Sequence, residues 1–336
     1  MKKLFFYLIV ISTFLSCKNA EREFPDSNTS TVYFSYQYPV RTITMGEDIF
    51  DTSLDNQRKF IIMATWGGGY NNKRDVTIGF EVNPSIATNV NYKGGGEVKV
   101  MPSNYYTLAS NSIVIPKGSV AGGVEVQLTD AFFNDPLATT RNYVIPLVMR
   151  SVDGADVILS GKSQLPNPNR IIASDWGTVP KDYVFYAVKY INTWDANYLR
   201  RGVDLVTTNG VSEKVIRHQP FVESDEVKKL KTLTLSNVEM PLTFKNTSGV
   251  NVPVSLQLQF DNTGKCVITS LTPSVTATGT GQFVKRGEKK SWGDQDRDAL
   301  YLDYNVTLGT KQYSTKDTLV VRDRGVAKEV FEVVLK

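Results

Sequence analysis

The chain has 336 residues, with 38 Lys and Arg against 34 Asp and Glu, one His, two Cys, 16 Phe, 16 Tyr and 4 Trp. At 41% hydrophobic and 21% charged it can bury a full core, which excludes disorder, collagen-like repeats and a multi-span membrane protein, and its length suits about two domains of ~100–200 residues. The formal charge of +4 is spread thinly, and the densest basic run, Lys285-Arg286-Gly287-Glu288-Lys289-Lys290, is broken by an acid; it reads as a solvated loop, and nucleic acid is not an expected partner.

Lys2-Lys3, the apolar stretch Leu4–Leu15 and Ser16-Cys17 follow the charged, apolar and small-residue order of a secretory leader. The stretch is too short for a membrane-spanning helix, which needs ~20 residues. The arrangement resembles a bacterial lipoprotein signal with Phe14-Leu15-Ser16-Cys17 as the lipobox. That resemblance implies a signal peptide over 1–16, acylation of Cys17 as the membrane attachment and a polar tether over 17–30. Cys266 then has no disulfide partner, and its place in Cys266-Val267-Ile268 suits a small buried hydrophobe. The single His218 excludes His-rich zinc sites and precedes Gln219-Pro220 as a surface residue.

From Thr31 the chain reads as strands. Val32, Phe34, Tyr36 and Tyr38 alternate with polar residues, as do Val76, Ile78, Phe80 and Val82, and period two means one buried face. Further runs at Lys59–Thr65, Ile113–Pro116, Val124–Thr129 and Tyr143–Arg150, punctuated by Gly67-Gly68-Gly69, Gly94-Gly95-Gly96 and Gly122-Gly123, predict an immunoglobulin-like β-sandwich over 31–163. Leu165-Pro166-Asn167-Pro168-Asn169 cannot continue a central strand, so 164–180 is expected to be the interdomain linker, with Trp176 packing the two domains together. Strand patterns then resume at Tyr183–Ile191, Thr232–Leu235, Val254–Phe260, Cys266–Leu271, Ala299–Leu308, Thr318–Arg322 and Lys328–Leu335, with hairpins at Asp261-Asn262-Thr263-Gly264 and Asp323-Arg324-Gly325. One short helix is expected around Ser224–Leu230, capped by Ser224. So many antiparallel strands over 181–336 predict a closed, lipocalin-like barrel, which removes exposed edges. The fold class is thus all-β.

The strings IVIPKGS at Ile113–Ser119, VEVQLTD at Val124–Asp130 and NYVIPL at Asn142–Leu147 resemble the N-terminal sandwich of uncharacterised Bacteroidetes outer-membrane lipoproteins. FYAVKYIN at Phe185–Asn192, YLRRG at Tyr198–Gly202, KSW at Lys290–Trp292 and RDALYLDY at Arg297–Tyr304 resemble the barrel-like domain that follows it. These proteins are similar to components of polysaccharide-utilisation systems. The resemblance implies an outer-membrane, surface-exposed lipoprotein that binds glycan, with no catalytic residues to carry over.

The residues themselves offer little catalytic chemistry. Asp294-Gln295-Asp296-Arg297-Asp298 has the alternating carboxylates of a calcium loop, but Ala299 and Asn305 stand where an EF-hand needs Gly and Glu. The glycine triplets lack phosphate-loop spacing. Sugar rings stack their C–H faces on aromatic rings while amides, carboxylates and Arg meet their hydroxyls. Three clusters have that composition: Trp66 and Tyr70 beside Asn71, Asn72 and Arg74; Trp194 and Tyr198 beside Asn192, Asp195 and Asn197; and Trp292 before Asp294. Core packing is the ordinary alternative for each. The expectation is a non-enzymatic surface lipoprotein, without cofactor or metal, that binds extracellular polysaccharide or oligosaccharide. The alternatives are an adhesive or structural subunit binding another surface protein, and a hollow barrel carrying a small apolar ligand.

Overall fold

The computed structural model describes residue 27 and residues 29–336, so the expected signal peptide, Cys17 and most of the tether lie outside the described residues. The first half consists of β1 (Thr31–Tyr33), β2 (Pro39–Thr44), β3 (Lys59–Gly67), β4 (Val76–Val82), β5 (Val90–Tyr92), β6 (Lys99–Val100), β7 (Tyr106–Leu108), β8 (Ser112–Ile115), β9 (Ala121–Leu128), β10 (Tyr143–Asp153), β11 (Val157–Ile158) and β12 (Tyr183–Ile191). These form sandwich-like layers in the order β11-β1-β3-β9-β8-β4-β10-β12-β2. β10 is apolar from Tyr143 to Met149 without alternation because both its faces are covered. Ile145, Leu147 and Met149 enter the main core with Phe60, Ile62 and Ile78, whereas Val144 and Val148 join Phe185, Ala187 and Phe331 in a second, smaller core.

This double burial corrects the expected domain boundary. β12 pairs with β10 from Tyr143↔Val188 to Val148↔Tyr183 and runs parallel to β2, so it belongs to the sandwich and not to the barrel. The proline-rich segment 164–180 is a surface excursion between β11 and β12, closed by the Lys162↔Thr178 bridge and the Arg170–Asp182 ion pair. Trp176 folds back within it, its indole donating to Asn169 O (2.7 Å).

The barrel comprises β13 (Ala196–Thr208), β14 (Val211–Arg217), β15 (Glu226–Thr232), β16 (Asn237–Lys245), β17 (Asn251–Phe260), β18 (Lys265–Ser270), β19 (Thr276–Glu288), β20 (Arg297–Leu308) and β21 (Lys311–Asp323). Eight of these close antiparallel through β13–β21, while β14 hangs on β13 alone as a free edge. The helix expected at Ser224–Leu230 is absent; a 3-10 turn at Val222–Ser224 leads straight into β15, where pairing with β13 overrides the capping signal. Leu256, Leu258, Ile268, Leu300 and Leu302 fill the interior, which removes the hollow-barrel reading. In mid-barrel, Arg200 donates to Asp317 (2.8 Å) and Arg217 donates to Asp204 (2.7 and 2.9 Å) and Asp317 (2.6 Å). Burial pushes the Asp204 carboxyl up, but the bonds from Arg217 and Thr315 outweigh it and hold the group below its ordinary value.

The end of the chain also departs from expectation. Asp323-Arg324-Gly325 does not turn a hairpin within the barrel. The chain crosses back to the sandwich, where β22 (Glu329–Val330) pairs β2 and β23 (Val333–Leu335) pairs β5. Phe331, between them, is 4% exposed and packs against Tyr38 and Tyr92, with Arg141 over its ring. The last strand therefore closes the sandwich's second core. Phe331→Ala should lower the unfolding free energy by about 3 kcal/mol, read from urea denaturation; an unchanged midpoint would show that this tail does not hold the core.

Candidate functional site

The passage from sandwich to barrel is four residues long, Asn192 to Asp195, between β12 and β13. Asn192 organises it: its Oδ1 accepts from the amides of Trp194 (3.0 Å) and Asp195 (3.1 Å), and its Nδ2 donates to Thr234 O (2.8 Å) and Asn237 O (3.0 Å) on the barrel rim. Asp195 then takes the amide and hydroxyl of Thr232 (2.7 and 2.8 Å) and pairs with Lys229 (2.6 Å). The chain thus leaves the sandwich with its direction set by side-chain-to-backbone bonds.

Arg324 completes the junction from the other end of the barrel sheet. It is 8% exposed and donates to four main-chain carbonyls, those of Asp195 (2.7 Å), Asn192 (2.6 Å), Met45 (3.1 Å) and Glu47 (2.9 Å). Loss of water lowers its pKa from the ordinary arginine value, against the pull of Tyr198, Asp195, Asp48 and Asp298. Two of those carbonyls belong to the sandwich loop after β2, so the guanidinium holds that loop over the barrel's mouth.

Between loop and mouth lies a cleft of about 310 Å3. Ala196, Tyr198, Phe283 and Val321 form its barrel side, and Glu47, Asp48 and Ile49 its sandwich side, while Asp298 and Arg297 close a flank. Ile49 is fully exposed on the rim. Lys285 reaches across to Glu47, and the hydrogen bond and charge of that ammonium hold the Glu47 carboxyl below its usual range. Lys289 does the same to Asp296. Asp48 differs: its Oδ1 accepts from the Ile49 amide (2.6 Å), but its Oδ2 is buried and accepts no hydrogen bond. A buried acceptor of this kind calls for a donor. Among the described residues no cluster has a metal's ligand set, and no helix is long and apolar enough to cross a membrane.

Of the five aromatic residues singled out by sequence, three gather at this mouth. Tyr198 is fully buried and lines the cleft, its hydroxyl donating to Trp194 O (2.9 Å) and its pKa pushed up by burial. Trp194 is half-buried and stacked on Phe260 (4.1 Å between centroids, 7° between planes), which plugs the other side of the mouth. Trp292 is half-buried, donates to Val321 O (3.1 Å) and carries the Arg297 guanidinium on its ring (3.5 Å). Trp66 and Tyr70 lie at the far end of β3, away from the barrel; Trp66 is 8% exposed in the sandwich core, while Tyr70 is exposed. Cys266 is a buried free thiol with its pKa pushed up to about 12 by desolvation, as a structural cysteine should be. Sequence reasoning missed Asp48, Ile49 and Arg324. An apolar Ile49-Phe50 pair within a polar loop was the available signal for the first two.

A family profile described as a domain of unknown function (DUF5627) matches residues 193–325, the barrel. A second, described as a "-like, N-terminal domain", matches residues 26–156. Among solved structures, a Bacteroides ovatus protein of unknown function is 46% identical, covering 93% of this chain and 100% of its own, with a TM-score of 0.88. An auxiliary nutrient binding protein from Bacteroides thetaiotaomicron VPI-5482 is 12% identical over 86% of this chain and 95% of its own, with a TM-score of 0.35. A Bacteroides ovatus ATCC 8483 protein, provisionally described as carbohydrate-binding, is 12% identical over 89% and 99%, with a TM-score of 0.28. Likeness at these last two scores carries no argument about this chain. No curated protein matches it.

Proposed function

The chain belongs to the family of that Bacteroides ovatus protein of unknown function, and we propose that it is a surface lipoprotein that binds extracellular oligosaccharide or polysaccharide without catalysis, in the cleft at the barrel mouth. The observation that carries this reading is the cleft itself, where the half-buried Phe283 ring and the exposed Ile49 stand beside the carboxylates of Asp48 and Asp298. A sugar brings what the cleft lacks: hydroxyl donors for the carboxylate and an apolar C–H face for the ring and for Ile49. The non-catalytic part rests on charge. Glu47 and Asp296 are both held below the usual carboxylate range by lysines, whereas glycoside hydrolysis needs one carboxyl raised to act as an acid.

A second reading, a subunit that pairs with another surface protein, is favoured by β14. Its outer edge is unpaired, and Val211, Val215 and Ile216 on it are exposed; an extended partner segment can add to such an edge. The lipid anchor is part of the proposal through Cys17 and places the protein at the outer membrane.

Isothermal titration of the chain lacking its first 26 residues against starch, arabinoxylan, galactomannan and α-mannan oligosaccharides tests the binding reading. One of them should bind, and Asp48→Ala should weaken it about tenfold, the loss of one hydrogen bond to a charged group. Absence of binding to every member, or an Asp48→Ala variant as tight as the wild type, overturns it. The anchor predicts that palmitate label on the native protein vanishes in Cys17→Ala; label that persists would refute it.

A further inference from the structure

A second hollow, about 1000 Å3 and larger than the cleft, is a groove across β17 to β21. β19 lies in its floor, and its inward-facing positions include Gly279 and Gly281. A Cβ at Gly279 would stand 2.3 Å from Tyr304 Cβ, and one at Gly281 would stand 2.5 Å from Leu302 Cδ2 and 2.8 Å from Cys266 Sγ. Without side chains there, the strand lies close against its neighbours, and the groove runs over its outer face. Five strands at 4.7–4.9 Å spacing make the groove roughly 19 Å long across the sheet.

Its lining is mixed. Val267 is exposed and offers an apolar patch beside the Tyr301 ring, while Gln259, Thr280, Gln282 and Thr318 supply amides and hydroxyls. Two of these groups are already held. The Tyr301 hydroxyl donates to Glu288 (2.8 Å), and Gln282 Nε2 donates to Thr263 O and Phe283 O (3.0 Å each), so neither pays the full cost of ordering when a ligand arrives. Lys265 and Lys316 are matched by Asp261 and Asp303, with Lys316 and Asp303 3.3 Å apart. That balance gives a polyanion nothing to follow.

We propose that this groove is a second glycan site, holding an extended neutral saccharide chain along the outside of the barrel while the mouth cleft takes a shorter segment. The inference rests on the reading that the protein binds glycan, and adds to it a long site that selects polymer over oligomer. Two sites on one chain raise the affinity for a polymer that reaches both.

The test compares the wild type, Thr280→Arg and Asp48→Ala, each lacking the first 26 residues and each checked for native circular dichroism, against neutral polysaccharides and their disaccharides, with hyaluronan as the polyanion. Thr280 is exposed, so its replacement fills the groove without touching the core. Thr280→Arg should weaken polysaccharide binding about fivefold or more and leave disaccharide binding unchanged, while Asp48→Ala weakens both. Polysaccharide binding unaltered by Thr280→Arg overturns the groove proposal and leaves the cleft reading standing. Full loss in Thr280→Arg with none in Asp48→Ala overturns the cleft reading and supports the groove. Preference for hyaluronan, or a dimer in gel filtration that Thr280→Arg dissociates without altering glycan binding, overturns the groove; no binding of any glycan overturns both.

Discussion

Arg324 is the contact on which the rest of the molecule turns. A buried guanidinium that takes four main-chain carbonyls instead of a carboxylate acts as a fixed fork, and carbonyls so used belong to two separate stretches of chain: the loop after β2 and the Asn192–Asp195 junction before β13. Sandwich and barrel are therefore joined through side-chain chemistry, to which Asn192 and the Lys285–Glu47 pair add, and not by a flexible linker. Removing the guanidinium would take a donor from each of the four carbonyls; Asn192 O keeps the Asp195 amide (3.4 Å), and a buried oxygen left bare costs more than the absence of a single bond.

Around that point the chain is threaded twice. It leaves the sandwich at β12 and returns to it at β22 and β23, so that Phe331 seals the face of β10 and β12 that the main core leaves bare. The barrel is thus an excursion from the sandwich, tied at both its ends. A ligand entering the mouth meets a loop already held in place, which spares it the entropy of closing one. The outer groove is lined mainly by strand residues of β17 to β21 and not by a long loop.

Much of the fold was legible in the residues, and the exceptions have physical reasons. Alternation in Val254–Phe260 gave barrel strands whose buried faces are those seen. Tyr183–Ile191 was legible as a strand but not as a sandwich strand, since its run of buried residues is explained by a second core whose far wall, Phe331, lies more than a hundred residues away in sequence. The helix read at Ser224–Leu230 failed because capping is worth little beside a complete ladder to β13. For the site, composition pointed to Trp194, Tyr198 and Trp292, which gather near the barrel mouth, but only Tyr198 lines the cleft and it is fully buried. It could not find Arg324 or Asp48, because an arginine that binds carbonyls and a carboxylate with one oxygen unpaired are indistinguishable in sequence from surface charges.

The amides of Met45 and Gly46 donate to Ile191 O (3.0 Å) and Asn56 Oδ1 (2.7 Å), and their protection reports whether the loop is held over the mouth. Hydrogen–deuterium exchange over residues 45–52 in the wild type and in Arg324→Met measures that directly. The account predicts exchange about tenfold faster or more in the variant over this loop, with β10 and β17 unchanged. Equal protection of the loop in both proteins would contradict it.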